Sequence, residues 1–349
     1  MSAEYSAVAA KLKAMHSRFL TRHDYEELLS KKSVSDICFY LKSTPGYSDV
    51  LSEVNEHNTH RGQMELLLEQ DLVDEYVRLY NFVDGKQRAM LEFWFMRYEV
   101  EFLKREMRYI YTHEERSSDE INQGKFDTFF ETHTKINREI MHSASSLSDC
   151  IAACEGTPYA DTLKRALNLD ADFFQIAMML DSYYYTSVWR SVKRNLSDKQ
   201  VKLFYKLEGS KVDMLNLMWI YRGKKYFELK SEIIFTYLLP VSYRLTDDII
   251  RQLVNAETVE RFVELVESST PYGALFEDCD KDRFPEENYR YIYNNLSKNI
   301  FVNHSQSMVA VYAYLNLKEV ELNNITTIIE GIRYSLNADF IRGHVRGGK

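Results

Sequence analysis

Glycine, proline and cysteine are all scarce in this sequence. Its 349 residues include 12 glycines and 5 prolines, against 25 tyrosines and 19 phenylalanines. An all-β sandwich or barrel needs many turn residues, so this shortage argues against both architectures. Four cysteines are too few for a secreted disulfide framework and favour a reducing environment. Hydrophobic residues make up 45% of the chain, which argues against general disorder and favours a large buried core.

An excess of positive charge and long apolar runs are also missing. The chain has 44 lysines and arginines against 52 acidic residues, a net charge of −8. Because binding to a phosphate backbone depends on cations, no nucleic-acid partner is expected. No apolar run approaches the roughly 20 residues that a helix needs to cross a bilayer. The N-terminal sequence has no uninterrupted apolar core of the signal-peptide type. These features predict a soluble, intracellular protein.

One sequence pattern occurs three times. In each copy an apolar stripe is followed by Thr-Pro and then a tyrosine, as in SVSDICFYLKSTPGYSDVL, SLSDCIAACEGTPYADTL and TVERFVELVESSTPYGALF. The threonines are Thr44, Thr157 and Thr270, which are 113 residues apart in both intervals. The first copy has an additional glycine, Gly46, between the proline and the tyrosine. Equal spacing of this kind indicates an internal triplication.

Each copy of the pattern predicts a helix. Apolar residues recur at i, i+3, i+4 and i+7, which places them on one helical face. Ser33, Ser146 and Thr258 stand at the expected N-caps, and Thr21 and Thr246 are placed as further N-caps upstream. Because proline disfavours helical geometry in the residue before it, the helix should end before each Thr-Pro pair. Each threonine is then expected to cap a second helix that begins at the proline.

A second shared element follows the Thr-Pro pattern. It reads VDMLNLMWIYRGKKY in the second copy and VELNNITTIIEGIRY in the third. It places an acid and an amide one turn apart, Asp213 with Asn216 and Glu321 with Asn324. An asparagine in an amphipathic helix costs stability unless its amide is satisfied. Its repetition indicates a structural hydrogen bond or an interface contact, and an ordinary surface pair is the alternative.

The corresponding stretch of the first copy is VEFLKREMRYI. There Glu101 keeps the acid and Lys104 replaces the amide, which makes this copy the weakest of the three. The whole chain is therefore predicted to form three helical units, residues 1–117, 118–229 and 230–349. The polar stretch THEERSSDEINQG is predicted to be a linker or an exposed helix-helix connection between the first two.

Two groups of residues resemble parts of metal sites. Cys150 and Cys154 are four residues apart and could share a helical face as metal ligands. They align with apolar residues in the other two copies, so core packing is predicted for both. Glu139 and His142 form half of the signature of a di-iron bundle, but the chain has no second Glu-x-x-His pair.

The remaining candidates have simpler explanations. His57 and His60 lie in a polar segment that is predicted to be a solvated helix face. Asp247 and Asp248 lack a third acid at the spacing that binds magnesium diphosphate, and they follow Thr246, where acids stabilise the helix dipole. No nucleotide-binding glycine motif or nucleophile elbow is present. The sequence therefore predicts no catalytic, cofactor-binding or metal-binding residue, and it leaves the partner-binding residues unassigned.

The three Thr-Pro-Tyr units and the two acid-amide helices resemble the C subunit of V-type and A-type rotary ATPases, whose eukaryotic relative is the d subunit. The likeness covers essentially the full chain and includes LDSYYYTSVWRSV at Leu180–Val192. It implies an all-α fold of three similar domains in a pseudo-threefold, funnel-like arrangement. It also implies a non-catalytic central-stalk subunit without a cofactor, at the cytoplasmic face of the membrane. Such a subunit links shaft subunits of D and F type to the membrane rotor ring and transmits torque for proton or sodium transport.

Two other classes of protein remain compatible with the sequence. A helical scaffold or adaptor unrelated to rotary ATPases would share the repeats and the lack of catalytic groups. A helical metal or isoprenoid enzyme would require a cluster of acidic side chains in a pocket.

Overall fold

The computed structural model describes residues 5–55, 59–83, 85–112, 124–277, 279 and 284–345. The protein is 75% helical, and no described residue lies in a β-strand, which confirms the all-α prediction. The helices of this part of the chain are α1 (Ser6–His16), α2 (Arg22–Leu29), α3 (Val34–Lys42), α4 (Arg61–Phe82), α5 (Gly85–Thr112), α6 (Gly124–His133), α7 (Arg138–Ser143), α8 (Leu147–Ala153), α9 (Tyr159–Asn168), α10 (Phe173–Asn195), α11 (Asp198–Phe204), α12 (Ser210–Lys225), α13 (Ser231–Thr236), α14 (Asp247–Val254), α15 (Val259–Ser269), α16 (Pro285–Asn303), α17 (Met308–Arg333) and α18 (Ala338–His344). A π-helical turn, Tyr205–Gly209, joins α11 to α12.

The predicted helix starts are confirmed. Ser33, Ser146 and Thr258 each accept a hydrogen bond from the backbone N–H three residues further on, at the starts of α3, α8 and α15. Thr21 and Thr246 cap α2 and α14 in the same way. Each of these side chains satisfies one of the N–H groups that a helix start leaves without a partner.

The threonines before proline do not cap a following helix, so that prediction is wrong. The helices end before them as expected, but each hydroxyl donates backwards to a carbonyl of the helix that has just ended. The last carbonyls of a helix have no intrahelical partner, and the hydroxyl lies within reach of them. The distances are 2.7 Å from Thr44 to Leu41, 2.7 Å from Thr157 to Cys154 and 2.8 Å from Thr270 to Val266.

Only the second copy continues into an α-helix. Pro158, which is the N-cap residue of α9, makes no side-chain capping bond, and Thr157 accepts a weak hydrogen bond from the N–H of Tyr159 at 3.3 Å. In the third copy a short 3₁₀ turn, Gly273–Leu275, replaces the helix. The Thr-Pro pair is therefore a helix stop that the three copies share.

Thr157→Ala is expected to lower the free energy of unfolding by about 1 kcal/mol. The threonine is 8% exposed, and its loss leaves the carbonyl of Cys154 without the hydroxyl donor at the end of α8. Urea denaturation followed by circular dichroism would measure the change. Thr236→Ala is the matched control, because Thr236 makes the same backward hydrogen bond to Ile233 but is exposed. Equal losses in the two variants would contradict the importance of burial at Thr157.

The chain folds into two compact units. The first contains residues 1–84, 123–126 and 290–349, and the second contains residues 85–122 and 127–289. The three-unit division predicted from the repeats is not tested by this partition and stays a prediction. The predicted linker between the first two repeats lies largely outside the described residues.

The core of the first unit combines both ends of the chain. Helix α17 packs against α4, α3 and α1. Ile37 and Tyr47 from the N-terminal part share one buried cluster with Ile325 and Ile328 of α17, and all four side chains are fully buried. The C-terminal helix is thus part of the N-terminal core.

The second unit packs α5 along α10, α8 between α7 and α9, and α12 against α13 and α15. Cys150 and Cys154 are both fully buried in this unit, which confirms their predicted core packing. Burial raises the pKa of the Cys154 thiol to about 12, so the thiol stays protonated at neutral pH.

Candidate functional site: three tyrosine–carboxylate clamps

The tyrosine of each Thr-Pro pattern is buried and donates its hydroxyl to a carboxylate that is buried in two of the three copies and half-buried in the other. We refer to these three pairs as the clamps. A hydrogen bond to an ionised acceptor is short and stronger than one between neutral groups. The clamps are Tyr47 with Glu321 at 2.6 Å, Tyr159 with Glu99 at 2.7 Å and Tyr272 with Asp213 at 2.8 Å.

Each clamp carboxylate also accepts a hydrogen bond from the segment just before the first short helix of its copy. Each copy has two short helices. One acid therefore binds both the segment before the first short helix and the Thr-Pro turn after the second short helix. The additional donors are the N–H of Leu20 to Glu321 at 2.7 Å, the hydroxyl of Thr134 to Glu99 at 2.7 Å, and the N–H groups of Tyr243 and Arg244 to Asp213 at 2.9 and 2.6 Å.

The clamps follow a cyclic order along the chain. Glu99 lies on α5 and holds the second copy, and Asp213 lies on α12 and holds the third copy. Glu321 lies on α17, at the end of the chain, and holds the first copy. Each of the first two acids therefore holds the copy of the pattern that follows it in the sequence, and the last acid holds the first copy.

The clamp acid of α5 is Glu99 rather than Glu101, which the sequence comparison matches to Asp213 and Glu321. Glu101 is largely exposed and pairs with Lys104 at 2.7 Å, while Lys104 also contacts Asp181 of α10 at 3.0 Å. Residues two positions apart are about 200° apart around a helix, so the two glutamates point in nearly opposite directions. Of these two glutamates, Glu99 is the one that accepts the hydrogen bond from Tyr159.

Burial controls the ionisation of the clamps. It raises the pKa of Glu99 and of Asp213 above the ordinary carboxyl range, although the hydrogen bonds that both accept oppose this shift. Burial and the adjacent carboxylates raise the pKa of Tyr47, Tyr159 and Tyr272 well above its usual value. The three tyrosines therefore stay protonated and remain donors at neutral pH.

The first clamp contains a buried ion pair as well. The ammonium of Lys318, on α17, lies 2.8 Å from a carboxylate oxygen of Asp71 and 3.2 Å from one of Glu321, and it donates to the hydroxyl of Tyr47 at 3.1 Å. Burial alone would lower the pKa of Lys318, but the two carboxylates raise it above its ordinary value. The lysine therefore carries its charge in the interior.

The two asparagines of the acid-amide helices make the structural hydrogen bonds that the sequence predicts. Asn216 is fully buried, accepts from the N–H of Leu239 at 2.8 Å and donates to its carbonyl at 3.3 Å. Asn324 is 4% exposed and donates to the hydroxyl of Tyr25 at 3.3 Å. The alternative of an exposed surface pair is therefore wrong.

The residues that resemble metal ligands are dispersed. Glu139 is exposed, while the ring of His142 lies 3.4 Å from a carboxylate oxygen of Glu106. His60 caps α4 by accepting from a backbone N–H at 3.4 Å. The other histidine of that segment, His57, lies outside the described residues.

The adjacent acids Asp247 and Asp248 lie in the first turn of α14, as predicted. Within the ranges that the structure describes, no three His, Cys, Asp or Glu side chains are grouped so that they could hold a metal ion. In the same ranges, no helix combines the length and the apolar character that crossing a bilayer requires.

Comparison with known proteins decides the family. Residues 8–344 match the family described as ATP synthase (C/AC39) subunit. The chain belongs to this family. The match extends over nearly the whole sequence, so it confirms the resemblance and decides against a scaffold that is unrelated to this family.

Several relatives are named as the C subunit of an A-type ATP synthase. The protein of Methanosphaera stadtmanae is 23% identical over 345 residues, covering 95% of this chain and 84% of the relative. That of Thermococcus kodakarensis is 24% identical over 357 residues, covering 98% and 90%. That of Methanococcoides burtonii is 25% identical over 357 residues, covering 99% and 94%. The similarity thus extends over most of both chains.

Changing a clamp acid of this C/AC39 family member to its amide is expected to cost more at Asp213 than at Glu99. Glu99 accepts from two hydroxyls, which can rotate and accept instead, so Glu99→Gln should cost about 1 kcal/mol or less. Asp213 accepts from two backbone N–H groups, which can only donate, so Asp213→Asn should cost about 2 kcal/mol. Urea denaturation at neutral pH would compare them, with Asp49→Asn as the control, since Asp49 is highly exposed and lies 3.8 Å from its ion-pair partner Arg18. Equal costs at Glu99 and Asp213 would contradict this explanation.

The stability difference between wild type and Glu99→Gln should depend on pH. Because burial raises the pKa of Glu99 in the folded state, the folded protein binds this proton more tightly than the unfolded chain. The resulting stabilisation is complete below the unfolded pKa and is lost as the pH rises through the folded pKa. Wild type should therefore gain stability relative to Glu99→Gln as the pH falls from about 7 to about 4.5. A difference in unfolding free energy that stays constant or shrinks would contradict the raised pKa.

Proposed function

We propose that this protein is a non-catalytic central-stalk subunit of a V/A-type rotary ATPase. It links the rotor shaft to the membrane rotor ring and transmits torque for ATP-coupled transport of protons or sodium ions. Family membership supports a place in such a complex, and the names of the relatives point to an A-type assembly. The shaft subunits of D and F type and the membrane ring are the proposed partners. The proposed location is the cytoplasmic face of the membrane, held there through protein contacts.

The observation that carries the proposal is the set of three clamps, whose tyrosines are all buried. A part that transmits torque must not let its helices slide past one another. A charge-assisted hydrogen bond in the interior fixes a distance and a direction, and it is shielded from exchange with water. The three acids Glu99, Asp213 and Glu321 join consecutive repeats and the last repeat to the first. The division into three helical units belongs to this proposal, because the clamps join one unit to the next.

The test is reconstitution of the complete ATPase with and without this chain. Vesicles that contain the complex without the chain should fail to take up ions when ATP is added, while the catalytic part still hydrolyses ATP. Addition of the purified chain should restore uptake. Ion uptake that is equal with and without the chain would overturn the proposal, as would ATP hydrolysis by the purified chain alone.

A further inference from the structure

Two places on the protein expose an apolar surface of the same kind. Both lie where a long helix ends and a short helix follows, and we refer to them as the two corners. Exposed aromatic side chains that are grouped in this way are typical of protein interaction sites. The first corner, between α12 and α13, exposes Tyr226 by 49%, Phe227 by 64% and Ile233 by 40%; the second, between α17 and α18, exposes Tyr334 by 61%, Leu336 by 45% and Phe340 by 57%.

The two corners share their construction. In each, a glycine near the end of the long helix lets an isoleucine of the short helix approach closely, and one residue of the connection has left-handed backbone geometry. The N–H of the next residue then donates a hydrogen bond to the carbonyl of the glycine. The equivalent residues are Gly223 and Gly331, Ile234 and Ile341, Glu228 and Ser335, and Leu229 and Leu336. The exposed side chains are therefore a repeated feature of the fold.

Each corner also carries a cation beside its exposed tyrosine. The ammonium of Lys225 lies 5.6 Å from the ring centre of Tyr226, and the guanidinium of Arg333 lies 5.3 Å from that of Tyr334. Within the described ranges, no carboxylate lies within 4.0 Å of either cation. An interface that buries such a cation needs an acidic group opposite it, because an unpaired buried charge is costly.

We propose that the two corners are equivalent docking surfaces for a partner made of repeated copies of one polypeptide. Each polypeptide of that partner would present an apolar side chain next to a carboxylate. The apolar side chain would contact the aromatic side chains of a corner, and the carboxylate would pair with its cation. Two like surfaces on one chain fit a partner whose own surface repeats, whereas a single shaft offers any given surface only once. This inference rests on the proposed function, in which the membrane rotor ring is the partner that is built from repeated copies of one polypeptide.

The apolar part of the inference is tested with the full-length chain and a purified rotor ring in nanodiscs. Phe227→Ser and Phe340→Ser should each weaken binding to the ring about tenfold, and the double variant should bind more weakly than either. Phe39→Ser is the matched control, since Phe39 is equally exposed at 68% but lies on α3 and belongs to neither corner. Binding to the isolated shaft subunits is measured in parallel and should stay unchanged in all variants.

The charged part is tested by charge reversal. Lys225→Glu and Arg333→Glu should each weaken ring binding by about tenfold, because each places an acid opposite the partner's carboxylate. Arg251→Glu is the control, since Arg251 is highly exposed and lies on α14. Thermal melting confirms that each variant is folded before its binding is measured.

Four results would overturn the inference. They are unchanged ring binding by the corner variants, an equal loss in Phe39→Ser or Arg251→Glu, a loss of shaft binding in place of ring binding, and equal capture by empty nanodiscs of anionic lipid. If wild type binds the ring and the corner variants bind equally well, the inference fails alone. If wild type binds neither ring nor shaft, the proposed function fails together with it.

Discussion

Lys318→Met is expected to lower the free energy of unfolding by about 3 to 5 kcal/mol. The lysine is 3% exposed, and its ammonium lies between the carboxylates of Asp71 and Glu321. Methionine fills a similar volume, so packing is largely kept, but the two acids remain buried without their shared cation. Breaking a buried pair by removing one partner is costly because the remaining charge is neither hydrated nor compensated. Urea denaturation followed by circular dichroism would measure the loss.

Two comparisons isolate the effect of burial on this lysine. Lys164→Met removes an exposed lysine that lies 3.5 Å from Glu155, and it should leave stability unchanged. The double variant Lys318→Met/Asp71→Asn should recover part of the loss, because it removes one of the stranded charges. If Lys318→Met lowers the free energy of unfolding no more than Lys164→Met does, the buried ion pair of Lys318 does not stabilise the protein.

Gly46→Ala is expected to destabilise the protein by about 3 kcal/mol. A Cβ at this position would lie 2.5 Å from the carbonyl oxygen of Arg18, closer than non-bonded atoms approach. That carbonyl belongs to the backbone just before Leu20, whose N–H is held by Glu321, so it cannot move away without weakening the first clamp. The glycine that is inserted in the first Thr-Pro pattern is thus required for the close approach of two backbone segments.

Gly343→Ala is the matched control for this substitution. Gly343 lies in α18, and among the described residues no atom beyond its chain neighbours and the adjacent helix backbone lies within 4 Å of where its Cβ would be. Alanine there should be neutral or stabilise by up to about 1 kcal/mol, because it restricts the unfolded chain. Thermal melting of Gly46→Ala and Gly343→Ala would separate crowding from helix propensity. Similar melting temperatures in the two variants would contradict the crowding at Gly46.

Local features of the fold could be predicted because their signals lie within a few residues of each other. The N-caps Ser33, Ser146 and Thr258 stand three residues before the N–H groups that they satisfy. Cys150 and Cys154 could be assigned to the core because their apolar counterparts recur in the other two copies. Periodicity and repetition are sufficient for such assignments, since both depend on spacing along a single helix.

The clamps could be predicted only in part, because they depend on which helices meet. Asp213 and Glu321 are recognisable from the repeat, but their tyrosine partners lie 59 and 274 residues away. The repeat favours Glu101 over Glu99 because aligning the weakest copy matches residue types, whereas the direction of a side chain depends on the face that α5 turns to its neighbours. The sequence alone contains no signal for the pairing of Lys318 with Asp71.

The shared core of the two chain ends has a consequence for the order of synthesis. When the N-terminal helices leave the ribosome, Tyr47 cannot yet form its hydrogen bond with Glu321, because Glu321 is translated 274 residues later. The clamps of the second unit join residues only 59 and 60 positions apart, so they can close while the nascent chain is still growing. The part of the protein that is made first is therefore completed last, and until then its apolar side chains lack the C-terminal residues that cover them.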